Sequence, residues 1–225
     1  MRARAVTLPL LAAAVSVALA PAAPGAQRAC PSAYQYAGLV APQAGAGIGA
    51  SITELRPPGV SWGHVAAWVG VGGPGAGPNG ADEWLQVGLS GFEQGVGSLY
   101  YEVTQPGVSP RYVEVLASVR PRDSHDVAVR EITRRPGWWR VWVDGSPASA
   151  PISLPGSHGR WRPMAMTESW NGGKRVCNAF HYAFARVRLV ARPGGVWRPF
   201  AGGSPIENGG YRVLAVRRGA FAATG

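Results

Sequence analysis

Apolar and polar residues alternate along most of this chain, in short runs that glycine and proline interrupt. A period of two places successive side chains on opposite faces of a β-strand. After position 26 the pattern predicts almost no helix. We predict strands at 35–40, 48–55, 62–71, 82–89, 98–104, 111–119, 126–133, 138–144, 163–170, 178–190 and 211–217.

Short strands separated by turn residues are typical of an all-β sandwich of two antiparallel sheets. We therefore predict that fold class, with 27–225 forming a single domain. The segment 191–210 is rich in Gly and Pro and is expected to be a long surface loop. Asp144-Gly145 is expected to turn a hairpin, and Asn171-Gly172-Gly173 is expected to do the same.

The two faces of the predicted strands differ in chemistry. One face is apolar and reads as core, for example Leu85, Val87 and Leu89. The other mixes aromatic and polar side chains, which suggests a binding groove. A second core layer is the alternative interpretation. The residues of this mixed face are Trp68, Trp84, Gln86, Tyr100, Glu102, Glu168 and Trp170.

The N-terminus has the three parts of a secretory signal peptide. Arg2 and Arg4 precede an apolar run over 8–19, and a small-residue, Pro-rich stretch continues to Ala26. We assign 1–26 as the signal peptide and expect a secreted protein. The apolar run is too short for a membrane span, and no later segment is apolar enough for one.

The chain has two cysteines, Cys30 and Cys177. An even pair in an exported chain predicts one disulfide, with two free thiols as the alternative. The histidines are far apart in sequence, so we expect no metal site. The stretch GGPGAGPNG at 72–80 lacks the lysine and helix of a phosphate loop, and we expect no cofactor.

The formal charge is +10, nearly all from scattered arginine. No basic helix or nucleic-acid motif accompanies the charge, so a nucleic-acid partner is not expected. The charge instead suggests affinity for acidic surfaces such as cell-wall polymers. We expect the protein to be a monomer.

The remaining candidate chemistry lies in carboxylates and amides on strands. Glu168 is flanked by apolar residues and Trp170, an environment that suits a general acid or base. Gln86 carries an amide that can donate a hydrogen bond to a developing oxyanion. No G-x-S-x-G motif is present, although a Ser-His-Asp triad assembled in space stays possible on sequence grounds.

Four stretches in order give the chain a resemblance to the glutamic peptidases of the eqolisin family. They are AWVGVG at 67–72, WLQVG at 84–88, YYEV at 100–103 with Pro106, and MTESW at 166–170. The family has strands of the types W-V-G-I-G, L-I-Q-x-G and Y-x-W-Y-E-x-x-P, followed by an A-E-W-I-V-E-like strand. The second carries the catalytic Gln and the last carries the catalytic Glu.

This resemblance implies a concanavalin A-like or jelly-roll-like sandwich with a groove on its concave face. It also implies that a polypeptide substrate is hydrolysed, with Glu168 as general base and acid and Gln86 stabilising the oxyanion. Trp68 would line the groove and Glu102 would support the site. Trp84, Tyr100 and Trp170 complete the expected substrate-binding set.

Two other functions fit the same face. One is a non-catalytic, lectin-like module that stacks sugars on Trp and Tyr. The other is a glycoside hydrolase using Glu102 and Glu168 as its carboxylate pair. Gln86 distinguishes the two proposed hydrolases, because the peptidase requires it and a glycosidase has no required role for it.

Overall fold

The computed structural model describes residues 30–93 and 97–225. The expected signal peptide, 1–26, lies outside them. A short 3-10 turn spans Pro78–Gly80. The strands are β1 (Gln35–Val40), β2 (Gly47–Gly59), β3 (His64–Gly73), β4 (Glu83–Phe92), β5 (Gly97–Gln105), β6 (Val108–Val119), β7 (Ser124–Glu131), β8 (Trp138–Val143), β9 (Ser146–Pro147), β10 (Ile152–Ser153), β11 (Met164–Trp170), β12 (Ala179–Val190), β13 (Arg198–Pro199), β14 (Ser204–Glu207), β15 (Arg212–Arg217) and β16 (Ala220–Thr224).

These strands form two antiparallel sheets, which confirms the predicted fold class. The seven-stranded sheet has the order β14-β1-β11-β3-β4-β5-β6. The nine-stranded sheet has the order β10-β8-β7-β2-β12-β16-β15, with β13 beside β12 and β9 beside β8. In the part of the chain that the structure describes, no helix is long and apolar enough to cross a bilayer.

The core lies between the sheets and follows the predicted alternation. In the seven-stranded sheet β3, β4 and β5 contribute Val69, Val87 and Tyr101, and in the other sheet β2 and β8 contribute Ile52 and Trp139. All five are at most 6 % exposed. Because the side-chain period is two, burying these residues turns the mixed aromatic and polar set to the outer face of the seven-stranded sheet.

The predicted loop 191–210 is not structureless, which corrects the expectation. It contains β13 and β14, and β14 forms an edge of the seven-stranded sheet by pairing with β1. Pro205 within β14 weakens the strand signal, and an edge is where a sheet tolerates proline. The strand β16 was also missed because its sequence, AFAAT, lacks the β-branched run that marks a strand.

One predicted hairpin is confirmed and one is wrong. Asp144 and Gly145 both have positive φ and join β8 to β9 as a two-residue turn. Asn171-Gly172-Gly173 instead follows β11 in one sheet and leads to β12 in the other. The Asn178 side chain stabilises this crossing, because its amide donates to the carbonyl oxygens of Trp62 and Trp170.

The predicted disulfide is confirmed beside the same crossing. Cys30 and Cys177 are bonded across a sequence separation of 147. The bond therefore links the start of the described chain to the segment that connects β11 in one sheet to β12 in the other. Both cysteines are accounted for in this bond, so neither is a free thiol.

Candidate active site

The outer face of the seven-stranded sheet contains a cavity of about 540 Å³. A volume of this size is typical of small-molecule and substrate sites. Strands β1, β3, β4, β5 and β11 supply most of its surface, and β14 closes one side. Its lining includes Tyr34, Tyr36, His64, Trp68, Trp84, Gln86, Glu102, Pro110, Met164, Met166, Glu168 and Ile206.

Glu168 lies on β11, and its carboxyl group has two hydrogen-bonding partners on β3. The indole N–H of Trp68 donates to Oε2 at 2.9 Å. Nε2 of His64 lies 3.2 Å from Oε1. The residue is 7 % exposed. Since each oxygen has its own partner, the orientation of the carboxyl group toward the cavity is fixed.

Gln86 lies on β4, and its neighbours make room for it. The residue opposite on β3 is Gly70, where a Cβ would lie only 3.0 Å from the Cβ of Gln86. The amide Nε2 donates to the hydroxyl of Tyr100 at 3.1 Å. A primary amide has two N–H donors. One orients the group on Tyr100, and the other can donate to a bound molecule.

Gln86 and Glu168 approach the same row of the sheet from opposite directions. That row crosses the strands through Met166, Trp68, Gly88 and Tyr100. Gln86 reaches the row at Tyr100, and Glu168 reaches it at Trp68. Gly88 lies between these two contact points and has no side chain. The amide and the carboxyl group therefore both line the cavity, from opposite sides of this row.

Glu102 lies directly opposite Gln86 on β5. The indole N–H of Trp84 donates to its Oε1 at 3.0 Å. Burial raises the pKa of Glu102, the Trp84 bond opposes the rise, and the nearby Glu168 adds to it. Glu102, whose pKa is raised, therefore lies beside the amide as a further acidic group of the cavity.

Two tyrosines of the cavity respond to the same carboxyl groups. Burial raises the pKa of Tyr36, and Glu168 raises it further. Burial, then Glu168 and Glu102, raise the pKa of Tyr34. Both phenols therefore keep their protons through neutral pH and act as neutral hydrogen-bonding groups in the cavity wall.

The structure brings five of the predicted site residues into this cavity, namely Trp68, Trp84, Gln86, Glu102 and Glu168. It does not place Tyr100 and Trp170 in the lining. Tyr100 is 2 % exposed because the ring of Tyr112 covers it at 4.8 Å. Trp170 stacks against Tyr34 at 5.0 Å, and Tyr34 forms the wall instead. Each therefore contacts a residue that lines the cavity, Tyr100 through Gln86 and Trp170 through Tyr34.

Sequence reasoning missed several lining residues. The alternation places His64 on the same face as Trp68, but His64 was not included among the candidate site residues. Tyr34 and Tyr36 carry the same two-residue spacing at the start of β1, which is the signal that would have found them. Ile206 lies on β14, the strand assigned to a loop, so no pattern pointed to it.

The mixed face is also partly a second apolar layer. Val40, Ala66, Trp68, Tyr100 and Met166 form a buried cluster separate from the main core. The groove and second-layer interpretations therefore describe different depths of one surface. Among residues 30–93 and 97–225, no group of three or more His, Cys, Asp or Glu side chains is arranged to hold a metal ion.

A sandwich with a glutamine and a glutamate lining one cavity defines a class to compare with known structures. The chain is similar to scytalido-glutamic peptidase bound to a peptide-based transition state analog, with a TM-score of 0.57 and 17% identity. That match covers 86% of this chain and 98% of the other.

A second match is SCP-B, a member of the eqolisin family in complex with the tripeptide Ala-Ile-His. Its TM-score is 0.56 at 16% identity, over 84% of this chain and 96% of that one. The protein thus has the fold of the eqolisin glutamic peptidases. No sequence profile of a known family matches the chain, and no curated protein matches it.

Proposed function

We propose that this protein is a secreted glutamic endopeptidase that hydrolyses peptide bonds with Glu168 and Gln86. The observation that carries the proposal is that the Glu168 carboxyl group and the Gln86 amide line one cavity from opposite sides of the row through Trp68, Gly88 and Tyr100. The eqolisin-like fold supports it. The disulfide fits an exported protein, since such bonds persist in oxidising compartments.

The proposed reaction begins with a water molecule between Glu168 and the scissile carbonyl. Glu168 takes a proton from the water, and the water oxygen attacks the carbonyl carbon. The second N–H of the Gln86 amide donates to the oxyanion that forms. Glu168 then returns the proton to the nitrogen as the C–N bond breaks. The products are a carboxylic acid and an amine, and the carboxylate is regenerated.

The surrounding residues position these two groups. Trp68 and His64 each contact one oxygen of Glu168 and orient its carboxyl group in the cavity. Tyr100 fixes the amide plane of Gln86. Electrostatic stabilisation is stronger where donors are preorganised and water is scarce. The buried setting of both groups meets this requirement.

The test is cleavage of an acid-denatured protein between about pH 2 and 6, a range that includes the ordinary titration of carboxyl groups. Glu168→Gln and Gln86→Ala are each expected to reduce the rate by at least about 100-fold. Glu114→Gln is the matched control, because Glu114 is exposed on β6 outside the cavity. A wild type that cleaves nothing, or a Glu168→Gln variant with full activity, refutes the proposal.

Glycoside hydrolysis is a second candidate, and one observation favours it. Glu102 and Glu168 line one cavity with Trp68 and Trp84, and the raised pKa of Glu102 suits a general acid. In that case Glu102→Gln removes activity and Gln86→Ala does not. A lectin-like protein would instead bind glycan without cleaving any substrate, and both variants would retain binding.

A further inference from the structure

A second cavity lies on the opposite side of the molecule, on the outer face of the nine-stranded sheet. Its volume is about 220 Å³, and its lining includes Asp126, Arg130, Trp142, Arg188 and Trp197. None of these residues belongs to the candidate active site. The cavity therefore requires its own explanation.

Small residues form the floor of this second cavity. One row across the sheet runs from Arg188 on β12 through Gly49 on β2 and Ala128 on β7 to Trp142 on β8. A Cβ at Gly49 would lie 3.0 Å from the Cβ of Ala128 and 3.5 Å from Nε of Arg188. The two small residues keep a gap open between an arginine and a tryptophan.

The arginines around the gap are arranged against the usual rules of sheet stability. Arg130 and Arg140 stand directly opposite each other on β7 and β8. Like charges at such positions repel. Nε of Arg140 and Nε of Arg188 are buried, and neither has a hydrogen-bond partner among the residues that the structure describes. Buried donors without partners are costly, and an anion bound in the cavity would satisfy that of Arg188, the one of the two that lines it.

Aromatic rings supply the walls. The guanidinium groups of Arg130 and Arg188 lie 5.5 and 5.0 Å from the ring centre of Trp197. Trp142 bounds the cavity on the side of β8. Asp126 also borders it, although Arg186 pairs with its carboxylate at 2.7 Å. The site thus combines a positive group for an anion with flat apolar surfaces and one hydrogen-bond acceptor.

We propose that this cavity binds a carboxylate-bearing sugar unit of an acidic polysaccharide. Arginine matches the geometry of a carboxylate, and indole faces stack on the apolar face of a pyranose ring. Asp126 accepts hydrogen bonds from sugar hydroxyls. The aromatic walls and the small size favour a uronic acid residue over an acidic peptide. The ligand would hold the protein on the polymer while leaving the opposite face free, whatever reaction that face performs.

The test is calorimetric titration of the intact protein with a galacturonic acid oligomer at pH 6.5. The same oligomer in fully methyl-esterified form keeps the sugar ring and removes the charge. Poly-glutamate supplies carboxylates without a sugar ring. We expect binding of the galacturonic acid oligomer, at least about tenfold weaker binding of the ester, and similarly weak binding of poly-glutamate.

Two variants probe the site and one controls for net charge. Arg188→Gln and Trp142→Ala are each expected to weaken oligomer binding by at least about tenfold. Arg160→Gln removes the same charge from an exposed turn outside the cavity and should bind as the wild type does. Thermal unfolding of each variant establishes that it is folded. Wild-type affinity in both folded site variants, or equal affinity for poly-glutamate, overturns the proposal.

Discussion

Glu54 makes the stability of this fold depend on pH. It lies on β2 with its side chain turned toward the interior, where it is 5 % exposed. Burial raises its pKa from 4.5 to about 6. The folded protein therefore holds this proton more tightly than the unfolded chain does. The resulting stabilisation is fully present below pH 4.5 and is lost as the pH rises through 6.

The size of this effect follows from the shift of the pKa. A difference of about 1.5 pKa units corresponds to about 2 kcal/mol, because each unit is about 1.4 kcal/mol. Glutamine at position 54 keeps the shape of the side chain but cannot titrate. Between about pH 4 and 7.5, the wild type should therefore lose about 2 kcal/mol more of its unfolding free energy than Glu54→Gln loses.

Urea unfolding followed by tryptophan fluorescence at both pH values measures this difference, since the chain has 9 tryptophans. The disulfide must stay intact in both proteins. Glu114→Gln changes an exposed carboxyl group and should follow the wild-type pH dependence. If the unfolding free energies of the wild type and Glu54→Gln change in parallel with pH, burial does not raise the Glu54 pKa and the reasoning fails.

Three further predictions concern the disulfide and the candidate active site. Replacing Cys30 and Cys177 by serine should lower the unfolding free energy by up to about 5 kcal/mol, because the bond joins residues separated by 147 positions in sequence. Denaturant unfolding measures this difference, and an unchanged unfolding free energy contradicts the prediction. Gly88→Ala should cost about 1–3 kcal/mol and reduce cleavage by displacing Trp68, since its Cβ would collide with the backbone oxygen of Ala67 and lie 2.6 Å from the Cα of Trp68; wild-type stability and rate would contradict this close approach of β3 and β4. His64→Ala should lower kcat about 10- to 100-fold with little change in KM, and it should alter the pH profile, because Glu168 loses one of its two hydrogen-bonding partners. An unaltered kcat and pH profile would mean that His64 has no role in the site.

The alternation of side chains was enough to predict the sandwich and most of its core. Val69, Val87 and Tyr101 are buried as expected, because period two leaves only one face for the interior. The same rule turned Gln86 and Glu168 to one outer face. Which residues meet across that face depends on strand order and register, and neither can be predicted from the sequence of one strand.

The missed features share a physical cause, which is that long-range pairing overrides local signals. β14 has only four residues, one of which is a proline, yet it borders the cavity because it pairs with the free edge of β1. Tyr100 was expected to face a ligand, but Tyr112 from the next strand covers it. Trp197 immediately precedes β13 in the predicted loop 191–210, so its contact with Arg188 could not be predicted without the folded sheet.

The most direct test of the proposed function is the cleavage rate of a denatured protein substrate at acidic pH by the wild type, Glu168→Gln, Gln86→Ala and Glu102→Gln. The Gln–Glu pair predicts a loss of at least about 100-fold in the first two variants and a smaller loss in Glu102→Gln. Full activity in Gln86→Ala, with loss of activity in Glu102→Gln, would contradict it and indicate a carboxylate pair instead.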